Sequence, residues 1–567
     1  MRFTPLTPRS TTPTRPRSLR LWSLGAVILA STTLVPASLS NAQGVNDPPN
    51  ASALPGLGGA EGMSVSAERR LGDRIARSIY QDPDYLDDPL LVDYLQALWQ
   101  PLMGAARARG DVPPELGERL AWELMISRDR TVNAFAMPGG YLGVNLGLLA
   151  VTERPEEVAS VLAHELSHVS QRHIARLMTR EERMAPWMMG AMILGALAAG
   201  SNAQVAGAAI AGSTAVAAQS QLNFSRDMER EADRVGFGVL SGAGFDGQGF
   251  VTMFDKLQQA SRLNDDGAFP YLRSHPLSSE RIADMRARLP QGPVAPAVAA
   301  GLTTGADPAP PVGAGGLKLD LPGLSAGLPA AAGRPGPSVA VHSLMASRAR
   351  VLAENGPDRM RSWLQVGQAA QAKPGERYAA ALSALRLGQR DRALELAQKL
   401  RDSATPDTRF ATDALMLELL LSPATSPATP AQVNLLAELR DRFLVSSARA
   451  GVLLGAQAAM ASGEPQRAVS RLQSWVVLQP RDALAWQTLA RAHQLQGQPL
   501  RAVRAEAEAR AAQLDYAGAA DRFRAAQSLP VAQRNADGME LAIVDSRRRQ
   551  VEALLRESVR DEEESKR

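Results

Sequence analysis

The sequence predicts a mainly α chain: a helical domain holding a small β-hairpin, followed by a solenoid of stacked helical pairs. Three observations carry that prediction. Val158, Val161, Leu162, Leu166 and Val169 recur at helical spacing behind Pro155, Glu156 and Glu157, a proline at the first helical position and two acids where the helix dipole favours them. Gly463 with Ala468 and Gly497 with Ala502 repeat at the ~34-residue period of paired-helix arrays. Between the two halves, residues 290–340 are rich in Pro, Gly and Ala, the composition of a linker.

In chain order, residues 1–20 carry five arginines and no acid, and 21–35 are predominantly apolar, with Ser40 and Ala42 behind them. This reads as a cleavable secretory signal, 1–42, with a flexible segment, 43–59, before a first domain at 60–289. The apolar run is short for a bilayer span of about 20 residues, which argues against an uncleaved anchor. The formal charge of +4 loses the five arginines of the signal and becomes −1. Nothing then favours nucleic acid as a partner. Cysteine is absent, so disulfides and thiolate ligands are excluded, and a bound metal would be held by nitrogen and oxygen.

Residues 133–144 alternate, turn at Pro138-Gly139-Gly140 and return from Tyr141, the pattern of a hairpin. An exposed strand there, with Asn133, Phe135 and Met137 as its substrate-facing residues, could receive an extended peptide through backbone hydrogen bonds. It could equally only close the core.

On the following helix, His164-Glu165-Leu166-Ser167-His168 puts two imidazoles four apart on one face, where they can share a metal ion while Glu165 serves as a base. The apolar residues lie on another arc, so the histidines are expected to flank the core. A catalytic zinc takes three protein ligands and a water. A third histidine in the same segment would fall at position 174, which is Ile174; His173 is one residue out of phase and reads as a polar flank residue. The third ligand must come from elsewhere. Glu229 and Asp233 stand four apart, with Ser225 or Asp227 as a cap, and Glu231 competes with Glu229 for the metal. Between them and the first helix, residues 186–222 are uncharged and rich in Ala, Gly, Met and Leu; they form a lid-like helical hairpin or touch a membrane.

A His-Glu-x-x-His helix followed by Glu-x-x-x-Asp resembles peptidase family M48, which are gluzincin-type zinc metalloproteases. The resemblance implies zinc, Zn2+, one per chain, on His164, His168 and Glu229, Glu165 as catalytic base, and Asp233 orienting a ligand histidine. Asn133 to Tyr141, Gln171-Arg172-His173-Ile174-Ala175-Arg176 and Ser274-His275-Pro276 resemble a periplasmic branch of the family that carries C-terminal tetratricopeptide repeats. That branch implies His275 as a latch on the open coordination position; a donor to the oxyanion, or an ordinary loop histidine before a proline, are the other readings.

The repeat half is expected at 341–546 in about four units, Gly388 with Ala393 and Asp515 with Ala520 echoing the glycine offset, and Trp486, Leu489 and Ala490 opening a unit after Pro480. Such a solenoid offers a concave surface to protein segments. A charged tail is expected at 547–567, of which Asp561 to Arg567 fray. The resemblance implies a periplasmic endopeptidase and chaperone-like quality-control factor for misfolded or stalled outer-membrane β-barrel proteins, its repeats touching the outer-membrane barrel assembly machinery. A non-catalytic scaffold with a structural or latched zinc is the alternative.

Overall fold

A computed structural model describes residues 63–180, 226–263, 269–289, 336–424, 427–534 and 537–564, all within one compact unit, Ala60–Arg567. The expected signal 1–42, the segment 43–59, the hairpin 186–222, Ser225 and most of the linker, 290–335, lie outside the described residues.

The first half contains α1 (Val65–Tyr80), α2 (Pro89–Arg109), α3 (Pro114–Arg119), β1 (Glu123–Ser127), β2 (Ala134–Met137), β3 (Tyr141–Asn145), α4 (Leu146–Val151), α5 (Pro155–Ser170), α6 (His173–Arg180), α7 (Arg226–Gly242), α8 (Gln248–Leu263), α9 (Tyr271–Ser274) and α10 (Ser279–Ala287). The sheet order is β1-β3-β2, with β1 parallel and β2 antiparallel to β3. The predicted hairpin is therefore present and β2 is an edge. Its turn needs φ of +77° at Gly139, and a Cβ there would sit 3.1 Å from the backbone of Glu68 and Arg69 on α1.

Helix α5 starts at Pro155 as predicted, but all sixteen of its residues are buried. The expectation that its histidines merely flank the core is corrected. Helices α2, α7 and α8 and strand β2 all contact it, so the polar arc is enclosed as fully as the apolar one. Two glycines permit that closeness. A Cβ on Gly236 of α7 would lie 3.1 Å from the Ala163 carbonyl oxygen, and one on Gly249 of α8 only 2.3 Å from that of Glu156. Helix α7 is thereby pressed onto α5 one turn past Asp233.

The second half is helical throughout its described residues: α11 (Val339–Leu352), α12 (Pro357–Gln368), α13 (Pro374–Arg386), α14 (Arg390–Asp402), α15 (Arg409–Leu421), α16 (Pro430–Leu444), α17 (Arg449–Ala461), α18 (Pro465–Leu478), α19 (Ala483–Leu495), α20 (Pro499–Ala512), α21 (Tyr516–Gln527), α22 (Val531–Arg534) and α23 (Gly538–Glu564). Gly388, Gly463 and Gly497 take positive φ between paired helices, and Ala393, Ala468 and Ala502 are buried in the helix that follows. Asp515 departs from the expected register. Its carboxylate accepts from Gly518 N at 2.9 Å and caps α21, as Asp482 caps α19; it opens a new pair instead of marking an internal turn.

Both expected edges of this half move. Ser338 caps α11, so the helical half begins at Val339, inside the expected linker. At the other end α23 runs through the expected tail as far as Glu564, because Val551 is fully buried and Arg547 Nη2 holds Glu508 at 2.6 Å. The two halves are joined by ion pairs at several points: Arg348 to Asp88 at 2.6 Å, Arg449 to Asp87 at 2.7 Å and Arg77 to Glu562 at 3.2 Å. Among the described residues no helix is long and apolar enough to cross a membrane.

Candidate metal centre

Helical geometry sets the first two donors. His164 and His168, one turn apart on α5, bring their Nε2 atoms to 3.0 Å. From α7, Glu229 Oε1 lies 3.4 Å from His168 Nε2, and its Oε2 lies 3.5 Å from His164 Nε2. The loop after α9 supplies His275, whose Nδ1 is 3.0 Å from Glu229 Oε1 and 3.4 Å from His164 Nε2. All four residues are buried, and their ligand atoms lie within 4.8 Å of one another.

These separations fit a tetrahedral zinc. With bonds of about 2.0–2.1 Å to nitrogen and oxygen, neighbouring ligand atoms stand roughly 3.3 Å apart. Two imidazole nitrogens facing each other in a buried pocket also need a shared cation or proton to offset their repulsion. The donor set of nitrogen and carboxylate oxygen suits zinc in a chain without cysteine.

Around these donors sits a second ring of contacts. Asp233 Oδ1 lies 3.0 Å from His164 Nδ1, where it accepts the ring proton. Arg281 of α10 then grips Asp233 with Nε and Nη2 at 2.6 and 2.8 Å, and with Nη1 reaches Glu229 Oε2 and the Pro276 carbonyl, both at 2.8 Å. This arginine is 5% exposed; the sequence reading missed it. The signal was a lone arginine six residues past His275, in the first turn of a helix that Ser278 caps. Glu165 keeps Oε2 at 2.9 Å from the Ala136 amide and Oε1 at 3.4 Å from His275 Nε2. Tyr271 stacks on the His275 ring at 4.6 Å.

Glu231 points away from the donors. Its Oε2 is 3.0 Å from His173 Nε2 and 2.9 Å from Arg176 Nη1. His173, expected on a polar flank, is instead fully buried, with Nδ1 2.9 Å from His168 Nδ1. The sharp turn that brings it inward is made at Arg172, which takes φ of +52° while its Nε holds Glu68 of α1 at 3.0 Å.

The electrostatics are those of a site built for a cation. Burial would lower the His164 pKa, but the Asp233 and Glu229 carboxylates outweigh it and raise it to about 9. Burial and the neighbouring His164 charge push His168 well below the usual histidine range. Burial raises Glu165 above an ordinary glutamate, with His275 and His164 opposing. Glu229 is held well down, because the imidazoles of His275 and His164 outweigh its burial.

The edge strand needs one correction. Asn145 N donates to Asn133 O at 3.0 Å, and hydrogen bonding alternates along an antiparallel pair, so Asn133, Phe135 and Met137 turn their amides toward β3. The outward groups belong to the alternate residues. Val132 O accepts from Tyr271 N at 3.4 Å, and Ala136 N faces Glu165. Ala134 and Ala136, rather than Asn133, Phe135 and Met137, form the edge beside the centre.

Residues 94–289 match the model of peptidase family M48. The chain is similar to the beta-barrel assembly-enhancing protease of Escherichia coli strain K12, 30% identical over 244 residues that cover 43% of this chain and 48% of that one. The protein of the same name from Yersinia pestis is 32% identical over 240 residues, 42% of this chain and 47% of that one. The mitochondrial metalloendopeptidase OMA1 of Arabidopsis thaliana is 31% identical over 164 residues, 29% and 31% of the two chains. The chain thus spans about half the length of the assembly-enhancing relatives that it matches. Over residues 94–289, this chain is similar to peptidase family M48.

Proposed function

We propose that the chain is a zinc endopeptidase, exported by residues 1–42 to the periplasm, that acts on unfolded or misassembled outer-membrane β-barrel proteins. The observation that carries the reading is the convergence of His164, His168 and Glu229 at 3.0–3.5 Å beside the buried Glu165. Bound by these three residues, zinc supplies a Lewis acid that polarises a peptide carbonyl and lowers the pKa of water toward neutrality. Glu165 takes the proton of the attacking water and returns it to the leaving amine. Its raised pKa brings it nearer to that double task. Asp233 fixes the His164 ring, with Arg281 behind it.

His275 acts as a latch in this reading. It lies among the donors, where substrate would have to enter, and only one short loop carries it. When it moves aside, an extended segment can add to the edge at Ala134 and Ala136 through backbone hydrogen bonds, which recognises unfolded chain with little regard to sequence. The repeats offer further contact to protein segments, among them the outer-membrane barrel assembly machinery. Support for the substrate class comes from the names of the relatives, which are assembly-enhancing for β-barrels.

The test is cleavage of an unfolded β-barrel protein by the full-length protein, Glu165→Gln and His275→Ala. Glu165→Gln is expected to lose cleavage by at least ~10²-fold while still holding one zinc per chain, and His275→Ala to cleave faster than wild type. Equal behaviour of all three would favour a non-catalytic scaffold with a structural zinc.

A further inference from the structure

Of the six histidines in the chain, four meet at this centre, and His173 is the one with no place among the donors. A ligand imidazole needs its second nitrogen held, because that bond sets which nitrogen carries the proton and how the ring is aimed. His164 has a carboxylate for this, Asp233, at 3.0 Å. The corresponding nitrogen of His168, Nδ1, lies 2.9 Å from His173 Nδ1.

Proton counting fixes the rest. With His168 Nε2 turned to the other donors, its proton belongs on Nδ1. Two nitrogens in hydrogen-bond contact share one proton, so His173 Nδ1 accepts it and His173 keeps its own proton on Nε2. That N–H points at Glu231 Oε2, 3.0 Å away, which Arg176 also holds at 2.9 Å. The row ends on a carboxylate at the protein surface. Packing holds it in place: Ile174 and Met228 bury the contact between α6 and α7.

We propose that His173 and Glu231 are positioning residues for His168, an imidazole-spaced counterpart of the direct Asp233 support on His164. Helix α7 then supplies three things within five residues: the ligand Glu229, the His164 support Asp233 and, between them, the remote support Glu231. The proposal rests on the metal reading above. It explains why a histidine one residue out of phase for ligation is nonetheless buried at the centre.

The experiment measures the zinc dissociation constant of full-length wild type, His173→Phe, His173→Asn and Glu231→Gln by competition with a chromophoric chelator, alongside the visible spectrum of each protein loaded with Co2+. His173→Phe keeps the volume and removes the acceptor, so its affinity is expected to fall 10–100-fold and its cobalt bands to shift. His173→Asn places an amide oxygen near the Nδ1 position and is expected to recover most of that loss. Glu231→Gln, at the partly exposed end of the row, folds even if the buried variants do not, and is expected to weaken zinc several-fold. The proposal is overturned if His173→Phe and Glu231→Gln both bind within twofold of wild type with unchanged cobalt spectra, or if His173→Asn is as impaired as His173→Phe. A wild type that holds no zinc would instead overturn the metal reading itself.

Discussion

The amide of Ala136 donates to the carboxylate of Glu165 at 2.9 Å, so the edge strand and the proposed base are in direct contact. The same amide stands in the row of outward groups that an extended peptide would use. The base and the peptide edge are therefore set by one strand, and its register decides both.

Ala136→Pro separates these roles from the sheet itself. Proline removes an N–H that the ladder with β3 does not use, which edge strands tolerate. Thermal unfolding should shift by only a few degrees, while kcat/KM on an unfolded protein falls at least ~10-fold because Glu165 loses a charge-assisted hydrogen bond of about 1.5–3 kcal/mol. Full activity in a folded variant would contradict the assignment of this edge.

Much of this was legible in the chain, and what was not has a physical cause. Pro155 and the two acids behind it mark the start of α5, and the i,i+4 spacing of His164 and His168 needs only helix geometry. Gly388, Gly463 and Gly497 mark turns because only a left-handed residue ends one helix and starts its partner so tightly. Arg281 escaped because its partners lie 48 and 52 positions away, and no local pattern connects them. His173 is out of phase with the ligand positions, and phase carries no signal of a supporting role. The charge of residues 547–567 suggested a separate tail, yet Arg547 and Val551 face a neighbouring helix that the local composition does not reveal.

Arg281→Leu should be among the most damaging single changes in the first half. It takes the guanidinium away from Asp233 and Glu229, 1% and 2% exposed, and leaves them only the neighbouring imidazoles. Removing one partner of a buried pair costs roughly 3–5 kcal/mol. Chemical denaturation of the metal-free protein measures the loss, and Arg281→Lys should recover only part of it, since an ammonium cannot reproduce the two-pronged grip on Asp233. A loss below 1 kcal/mol would show that the carboxylates are relieved in another way.

Arg348→Met tests whether the two halves unfold together. Arg348 of α11 is buried and bonded to Asp88 at 2.6 Å, Glu418 at 2.7 Å and the Tyr378 hydroxyl at 3.1 Å. Asp88 also caps α2, accepting from Leu91 N at 3.0 Å, so the arginine ties the first helix after α1 to the repeats. The variant should lose ~3–5 kcal/mol. If the halves are one cooperative unit, near-ultraviolet signals from Trp99 and from Trp486 should shift to lower denaturant together; separated transitions would refute that coupling.

A pH-dependent stability follows from His342 of α11, which is 1% exposed and shares a 2.5 Å hydrogen bond between its Nδ1 and the Tyr94 hydroxyl of α2. Burial lowers its pKa to about 4, against the pull of the Thr152 backbone and Glu157, whereas the unfolded chain titrates near 6.5. Between those values the unfolded state binds more protons, so this group's contribution is complete above pH ~6.5 and is lost as the pH falls toward 4. Asp93 slopes the opposite way: burial raises it to about 6, although the Ala450 amide offsets part of that, so its folded form is favoured by acid. The two partly cancel in the wild type. Subtracting the unfolding free energy of His342→Phe isolates the histidine, because Asp93 is present in both proteins. The difference should rise by up to ~3 kcal/mol from pH 4 to 6.5 and level off above; a flat difference across that window would mean that the imidazole stays solvated in the fold.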